Sequence, residues 1–225
     1  MNYQVVEIFD SIEGEGKRAG QTATFIRLAG CNLRCSYCDT TYAFGNEYKE
    51  MTLKEIMTRL KSSHISRVTL TGGEPLAAQN IEILIYEMLI NGYEINIETN
   101  GSIDPTFLFK HLQNMKYETS AELFFTMDYK LPSSGVNDKM TLPNFSNLNP
   151  WDVLKFVVGS EEDVVCMINF VRKLTARPQI FIGAVYGKYD LQKLVDTIVK
   201  TPELKDAKLQ LQLHKIIWDA NERGV

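Results

Sequence analysis

The sequence predicts an α/β protein built on an open, partial β/α barrel of roughly six or seven parallel strands. Three observations point there. Short β-branched runs alternate with helical patterns almost from end to end of the 225 residues. The strand candidates, residues 23–28, 68–71, 95–98, 123–127, 153–158, 179–185 and 209–213, are too few for a closed eight-stranded barrel. The apolar run at 153–158 fits a sheet buried on both faces by flanking helices. A doubly wound sheet is the alternative, and in either architecture the loops at the carboxyl ends of the strands hold the site.

Between the strands, apolar residues recur at three- and four-residue spacing. Residues 52–60 form the first such helix. Ile81, Ile83, Leu84, Met88 and Leu89 mark the second; Asp104-Pro105 reads as a cap and first helical proline ahead of a third at 106–112. Val164, Val165, Ile168, Val171 and Leu174 mark a fourth, and Leu191, Leu194, Val195 and Ile198 a fifth. Residues 132–150, rich in Ser, Asn, Pro and Gly, read as one long loop with at most a helical turn, serving either as a lid or as a surface excursion. No repeat, low-complexity tract or linker divides the chain, so one domain over 1–225 is expected, with both terminal segments as extensions of the core.

Hydrophobic residues make up 44% and charged ones 23%, proportions that exclude gross disorder. With 24 Lys and Arg against 28 Asp and Glu, the net charge is −4 and no basic block appears, which argues against a nucleic-acid partner. The amino terminus carries Glu7, Asp10, Glu13 and Glu15 and lacks a basic start followed by an apolar run. No apolar stretch approaches the roughly 18 residues of a membrane span. The expectation is a cytoplasmic protein without membrane partners, in a compartment that keeps thiols reduced.

Three of the four cysteines, Cys31, Cys35 and Cys38, form C-x3-C-x2-C directly after the first convincing strand. Structural zinc normally takes four ligands. The nearest histidine is His64, and Cys166 falls in the middle of a helix, where it reads as a core residue. A cubane iron–sulfur cluster accounts better for three thiolates, because its fourth iron stays open for a non-protein ligand. A zinc-stabilised binding module and an electron carrier are the rival readings; the carrier conflicts with three clustered thiolates in place of four. After the next strand comes Thr71-Gly72-Gly73-Glu74-Pro75, where two glycines let the backbone approach a ligand closely. Glu98-Thr99-Asn100-Gly101 ends a strand in a sharp turn, which either points polar groups into a site or is simple turn chemistry.

This cysteine spacing, with a Gly-Gly-Glu turn after the following strand, resembles the radical S-adenosylmethionine superfamily. The resemblance implies a barrel of the radical SAM type, a 4Fe–4S cluster on Cys31, Cys35 and Cys38, and reductive cleavage of S-adenosylmethionine to a 5′-deoxyadenosyl radical. It implies cofactor contacts from Tyr37, Cys38, Asp39, Gly72, Gly73, Glu74, Glu98, Asn100, Asp128, Tyr129 and Lys130. The segment FDSIEGEG from Phe9 to Gly16, Arg27, Asp39-Thr40, and an ending with Leu213-His214-Lys215, Trp218 and Arg223-Gly224-Val225 resemble more narrowly the 7-carboxy-7-deazaguanine synthase family. That likeness covers most of the chain. It implies a lyase that contracts the ring of 6-carboxy-5,6,7,8-tetrahydropterin with loss of ammonia, as in queuosine precursor (7-deazapurine) biosynthesis.

The same likeness implies a Mg2+ ion at Thr40, and substrate contacts from Ile12, Glu13, Gly14, Arg27, Thr71, His214 and Val225. It further implies a flavodoxin- or ferredoxin-like electron donor and a homodimer. An arginine fork suits a carboxylate-bearing pterin, and Mg2+ tolerates few protein ligands when substrate and water complete its octahedron. Two departures stand out. Asp128-Tyr129-Lys130 occupies the place where relatives commonly carry Ser-Pro-Lys, and Glu13 stands where many carry glutamine. Glu13, which only accepts hydrogen bonds when ionised, would favour a donor edge on the pterin. His64 and His111 lie near helix ends and read as solvated. The nearest rival in the superfamily is a glycyl-radical activating enzyme, against which the IEGEG segment and the terminal motif both speak.

Overall fold

The computed structural model describes residues 1–45, 47–116 and 122–225. Its strands are β1 (Asn2–Ile12), β2 (Thr22–Leu28), β3 (Lys49–Thr52), β4 (Arg67–Gly72), β5 (Glu94–Thr99), β6 (Leu123–Tyr129), β7 (Val153–Val158), β8 (Gln179–Ala184) and β9 (Lys208–Leu209). The helices are α1 (Leu53–Ser62), α2 (Ile81–Ile90), α3 (Thr106–Asn114), α4 (Leu142–Phe145), α5 (Glu161–Lys173), α6 (Leu191–Lys200) and α7 (His214–Ile217). All nine strands form one open sheet in the order β3-β1-β2-β4-β5-β6-β7-β8-β9. From β2 to β9 every pairing is parallel. The partial β/α barrel expected from the strand–helix alternation is therefore present, left open because β3 and β9 end the sheet.

Sequence reading missed the two antiparallel strands. β1 pairs with β2 and β3. Its polar alternation, with Glu7, Asp10 and Ser11 among Ile8, Phe9 and Ile12, hid it as an acidic lead-in. The last strand keeps only two residues, because Gln210 onward turns back toward the amino-terminal segment.

Period-two alternation sorts each strand's side chains between helices and barrel interior. Ile26, Leu28, Val68, Leu70, Ile95, Ile97, Phe125, Met127, Leu154, Phe156 and Ile182 join one core with the helices. The opposite face carries Arg27, Thr69, Thr71, Asn96, Glu98, Thr126, Asp128 and Lys155. This corrects the reading of 153–158 as apolar on both faces, since Lys155 sits in mid-strand on the inner side. Helix starts follow local chemistry. Thr52 and Glu55 form a reciprocal capping box on α1, and Ser160 accepts from Asp163 N ahead of an acidic first turn on α5. Asp104 accepts from both the amide and the hydroxyl of Thr106, and α3 begins one residue later than expected, with Pro105 at its cap.

Residues 132–150 are a packed bracket rather than a loose excursion. Two single 3-10 turns and α4 bury Ser134, Val136, Asn144, Phe145 and Leu148. Phe145 meets Tyr129 and Phe170 at 5.4 and 5.3 Å between ring centroids. Buried Asp163 accepts from Ser133 N and Gly159 N, which locks the bracket to the start of α5. Phe145→Ala is expected to cost about 3–5 kcal/mol in denaturant unfolding. It should also make 132–150 the first site of limited proteolysis.

Candidate active site

The carboxyl ends of β2 and β4 meet in direct backbone contact. Gly73 N donates to Leu28 O at 3.0 Å and Glu74 N to Gly30 O at 2.8 Å. A Cβ on Gly72 would overlap the Leu28 carbonyl, and one on Gly73 would overlap the Gly30 carbonyl. Two glycines are required here because two loops share one space. Cys31 follows at once, so the Gly-Gly turn sets where the cysteine loop leaves the sheet. Gly30 itself, at φ +90°, makes the bend.

Glu74 locks a third loop to this pair. Its carboxylate is 1% exposed and accepts from Leu76 N (3.0 Å), Thr99 Oγ1 (2.8 Å) and Asn100 N (2.7 Å). Burial raises its proton affinity while those three donors oppose the shift. Asn100, positioned by that bond, donates through Nδ2 to Asn32 Oδ1 at 3.0 Å and lies 3.8 Å from Cys31 Sγ. Ser36 extends the cysteine loop to the bracket, its amide donating to Ser134 O and its hydroxyl to Ser133 O.

A cavity of about 280 Å³ opens above these loops, lined at one end by Cys31, Cys35 and Cys38. Burial pushes the Cys35 and Cys38 thiols up, and the neighbouring cysteine sulfurs add to the effect. The three sulfurs share the cavity without converging on a point. Among the described residues, no group of three or more His, Cys, Asp and Glu is placed to hold a single metal ion. Three cavity-facing thiols spread this way, with no fourth at hand, fit a polynuclear cluster with one open iron better than a mononuclear zinc site. Cys166 packs with Tyr129 and Asn137 against the helix side of the sheet and does not line the cavity.

The inner face of the barrel supplies paired charges. Arg27 Nε donates to Glu7 Oε1 at 2.7 Å, with Tyr42 OH donating to the same oxygen at 3.1 Å. Lys155 Nζ holds Glu15 at 2.8 Å and lies 3.8 Å from Asp128 Oδ1, while Lys130 Nζ holds Asp128 Oδ2 at 2.6 Å. Burial alone would raise the Asp128 carboxyl; Lys130 and Lys155 outweigh it and hold the group ionised. Likewise burial would raise the Asp39 carboxyl, but Lys215 at 2.8 Å holds it down at about 2. Thr40 Oγ1 donates to the other Asp39 oxygen at 3.1 Å.

The two chain ends close the far side. Leu213 N donates to Gly14 O at 3.0 Å, and His214 packs so tightly on Gly14 that a Cβ there would overlap its ring. Burial lowers the proton affinity of His214, which favours the neutral imidazole. Arg223 stacks 3.9 Å over the Tyr42 ring, and Gly224 and Val225 reach the cavity wall.

Most residues singled out in the sequence share this one cavity: Ile12, Gly14, Arg27, Tyr37, Asp39, Thr40, Thr71, Gly72, Gly73, Glu98, Asn100, Asp128, Lys130, His214 and Val225. Three do not line it. Tyr129, expected to contact the cofactor, turns to the helix side and packs on Phe145, Phe156 and Phe170. Glu74, expected there too, spends its carboxylate on Leu76, Thr99 and Asn100 and acts through them. Glu13, expected at the substrate, is fully buried below the cavity with its hydroxyl partner Thr69. Strand parity explains Tyr129, since it neighbours inward Asp128 and must point outward. Glu15, Tyr42, Lys155 and Lys215 were missed. Lys155 had a signal, a lone cation in an otherwise apolar strand; Glu15 and Lys215 lay inside the motifs that carry the family likeness without being singled out, and Tyr42 had none without the fold.

A parallel open barrel that aims three cysteines and a Gly-Gly turn into one cavity defines a radical S-adenosylmethionine enzyme, and residues 25–119 match the radical SAM superfamily. The chain is 44% identical to the 7-carboxy-7-deazaguanine synthase of Clostridium acetobutylicum, across 100% of both proteins. It is 35% identical to that of Methanospirillum hungatei, over 95% of this chain and 85% of the relative. It belongs to the 7-carboxy-7-deazaguanine synthase family. The crystal structure of QueE from Escherichia coli shares the fold, with a TM-score of 0.73 over 93% of each chain at 19% identity.

Gly73→Ala tests the backbone contact on which the cysteine loop rests. The variant is expected to lose most of its iron after anaerobic reconstitution while far-ultraviolet circular dichroism stays unchanged. Gly45→Ala, where a Cβ meets open space, should retain its iron.

Proposed function

We propose that this enzyme converts 6-carboxy-5,6,7,8-tetrahydropterin to 7-carboxy-7-deazaguanine with loss of ammonia. The observation that carries the reading is one continuous cavity lined both by the three cysteines and by Arg27, Thr71 and His214. Cys31, Cys35 and Cys38 would hold a 4Fe–4S cluster, leaving one iron for S-adenosylmethionine. Bound together, cluster and S-adenosylmethionine supply one-electron cleavage chemistry that no protein side chain provides.

The chain's own groups bind and orient. Backbone carbonyls at Gly72 and Gly73 would accept from the methionine ammonium, where a side chain would collide with the neighbouring loop; the Gly73 amide is already held by Leu28 O. Tyr37, Asp39, Glu98, Asn100, Asp128 and Lys130 border the rest of the cofactor. Asp128 is the member that alters the family pattern; its Oδ1, 3.8 Å from Lys155 Nζ and without a hydrogen bond among the described residues, is an acceptor for a cofactor N–H or O–H. On the substrate side, Ile12, Gly14, Thr71 and neutral His214 shape the ring pocket, and Val225 closes it. Arg27 is fixed by Glu7, so it arrives at the substrate pre-oriented and half-neutralised. Every lysine and arginine of the cavity is similarly paired, which favours recruiting a cation with the carboxylate substrate; Mg2+ at Thr40, completed by substrate oxygens and water, meets that need.

Residues 1–225 then act as one radical SAM core domain whose two ends form the substrate pocket. A flavodoxin- or ferredoxin-like donor, a homodimeric assembly and a cytoplasmic setting complete the proposal. Among the described residues no helix is long and apolar enough to cross a membrane.

The test is anaerobic incubation of reconstituted enzyme with S-adenosylmethionine, reductant, Mg2+ and the carboxypterin. The deazapurine and 5′-deoxyadenosine are then sought by mass spectrometry. Cys31→Ala, Cys35→Ala or Cys38→Ala should abolish both products, and Cys166→Ala should leave both. Cofactor cleavage without deazapurine, from a fully loaded cluster, would sink this substrate assignment.

A further inference from the structure

One cation of the cysteine loop stands outside the charge pairing of the cavity. Arg27, Lys130, Lys155 and Lys215 each hold a carboxylate, whereas Arg34, between Cys31 and Cys35 in the chain, has no ion pair among the described residues. It is fixed all the same. One guanidinium nitrogen, Nη1, donates to Cys31 O at 2.8 Å and to Leu33 O at 2.7 Å. The Arg34 Cζ lies 4.4 Å over the centre of the Phe44 ring. Phe44 belongs to the 3-10 turn Thr41–Phe44, which is tied to the start of the same loop where Gly30 N donates to Ala43 O at 2.8 Å.

Arg34 is exposed to solvent, and an arginine in that setting ordinarily keeps its rotamer freedom. Here two carbonyls and a ring hold it against its own loop, and they also set where its charge sits. A guanidinium nitrogen 2.8 Å from Cys31 O is within the breadth of one residue of the Cys31 sulfur, which lines the cavity. That sulfur faces two N–H groups as well, Leu33 N at 3.5 Å and Asn100 Nδ2 at 3.8 Å. Partial positive charges and one full charge thus gather on the same thiol. The full charge comes from behind, because Arg34 itself does not line the cavity.

We propose that Arg34, pinned by the Cys31 and Leu33 carbonyls, is a positioning residue that makes an iron–sulfur cluster on Cys31, Cys35 and Cys38 easier to reduce. The inference rests on the cluster assignment and not on the pterin substrate. Reduction moves one electron from a low-potential donor, a flavodoxin- or ferredoxin-like protein or dithionite, to the cluster, with no bond made or broken. A cluster on three thiolates becomes more negative in that step, so a fixed cation behind one thiolate favours the product. Solvent screens an exposed charge, and the effect is correspondingly modest, about threefold in the reduction equilibrium.

The test is a redox titration of the anaerobically reconstituted full chain, followed by electron paramagnetic resonance in the absence of substrate. Wild type is compared with Arg34→Gln and Arg34→Lys. Glutamine removes the charge and keeps a donor, whereas lysine keeps the charge without the planar fork. Arg34→Gln is expected to load iron as wild type does and to lower the reduction equilibrium about threefold, a midpoint potential ~30 mV more negative for one electron. Arg34→Lys should recover at least half of that shift. Raising the salt from about 0.05 M to about 1 M should narrow the gap between wild type and Arg34→Gln, because screening reaches an exposed charge.

Equal midpoint potentials in loaded wild type and Arg34→Gln would overturn the proposal. A lysine variant as hard to reduce as the glutamine variant would do so too, since charge would then count for nothing. An Arg34→Gln protein that takes up no iron, or a gap that high salt leaves untouched, would make Arg34 a brace for the loop and nothing more. Wild type that itself takes up no iron would reject the cluster beneath the proposal, a failure distinct from equal potentials in loaded proteins. Deazapurine formation is not read at any point, so a wrong pterin assignment would leave the outcome standing.

Discussion

A sheet with one apolar face and one charged face must find partners for the cations it turns inward, and the architecture follows from that constraint. Lys155, in the middle of β7, cannot reach water through the helices behind it, so it is held between Glu15 and Asp128. Asp128 is shared in turn with Lys130, Arg27 is held by Glu7, and Lys215 holds Asp39. Apart from Asp128–Lys130, two residues apart at the end of β6, each pair joins different segments or neighbouring strands, so pairing the charges also docks the amino-terminal segment, the cysteine loop and the carboxyl-terminal segment around one space. Truncating one partner in such a set strands the other, so these residues contribute to shape as well as charge.

Backbone proximity does the rest. Gly72 and Gly73 pack on the Leu28–Gly30 backbone, and the Glu74 carboxylate ties the Thr99–Asn100 turn to the same point. Three strand ends are thereby held together by amides, carbonyls and one buried acid, with little side-chain freedom to lose. A cofactor gripped by backbone groups needs this rigidity, because a shift of either loop moves the cysteines and the methionine site together.

Much of this was legible in the chain. The parallel strands, the helices between them and the three-to-one division of the cysteines rest on local signals: period, spacing and turn residues. Strand β1 escaped because its inward charges imitate an exposed acidic lead-in, and β3 because four residues carry too little pattern. Tyr129 was misassigned because adjacency in a motif says nothing of which face a residue occupies. Residues 132–150 looked loose because Ser, Asn and Pro suggest solvent, whereas Asp163 and the aromatic ring cluster, both remote in sequence, order the segment.

The sequence by itself determined the catalytic class: three cysteines on one short loop and a Gly-Gly-Glu turn after the next strand are local features, readable wherever the chain goes. Tertiary structure alone decided which carboxylates face the cavity and which lie beneath it. Glu13, Glu15, Glu98 and Asp128 are chemically near-equivalent on paper. Their surroundings separate them into one buried without a counter-ion, one tied to Lys155, one facing the cavity and one shared by two lysines. An acid's protonation depends on desolvation and on charges brought close by folding, and neither quantity exists until the strands have paired.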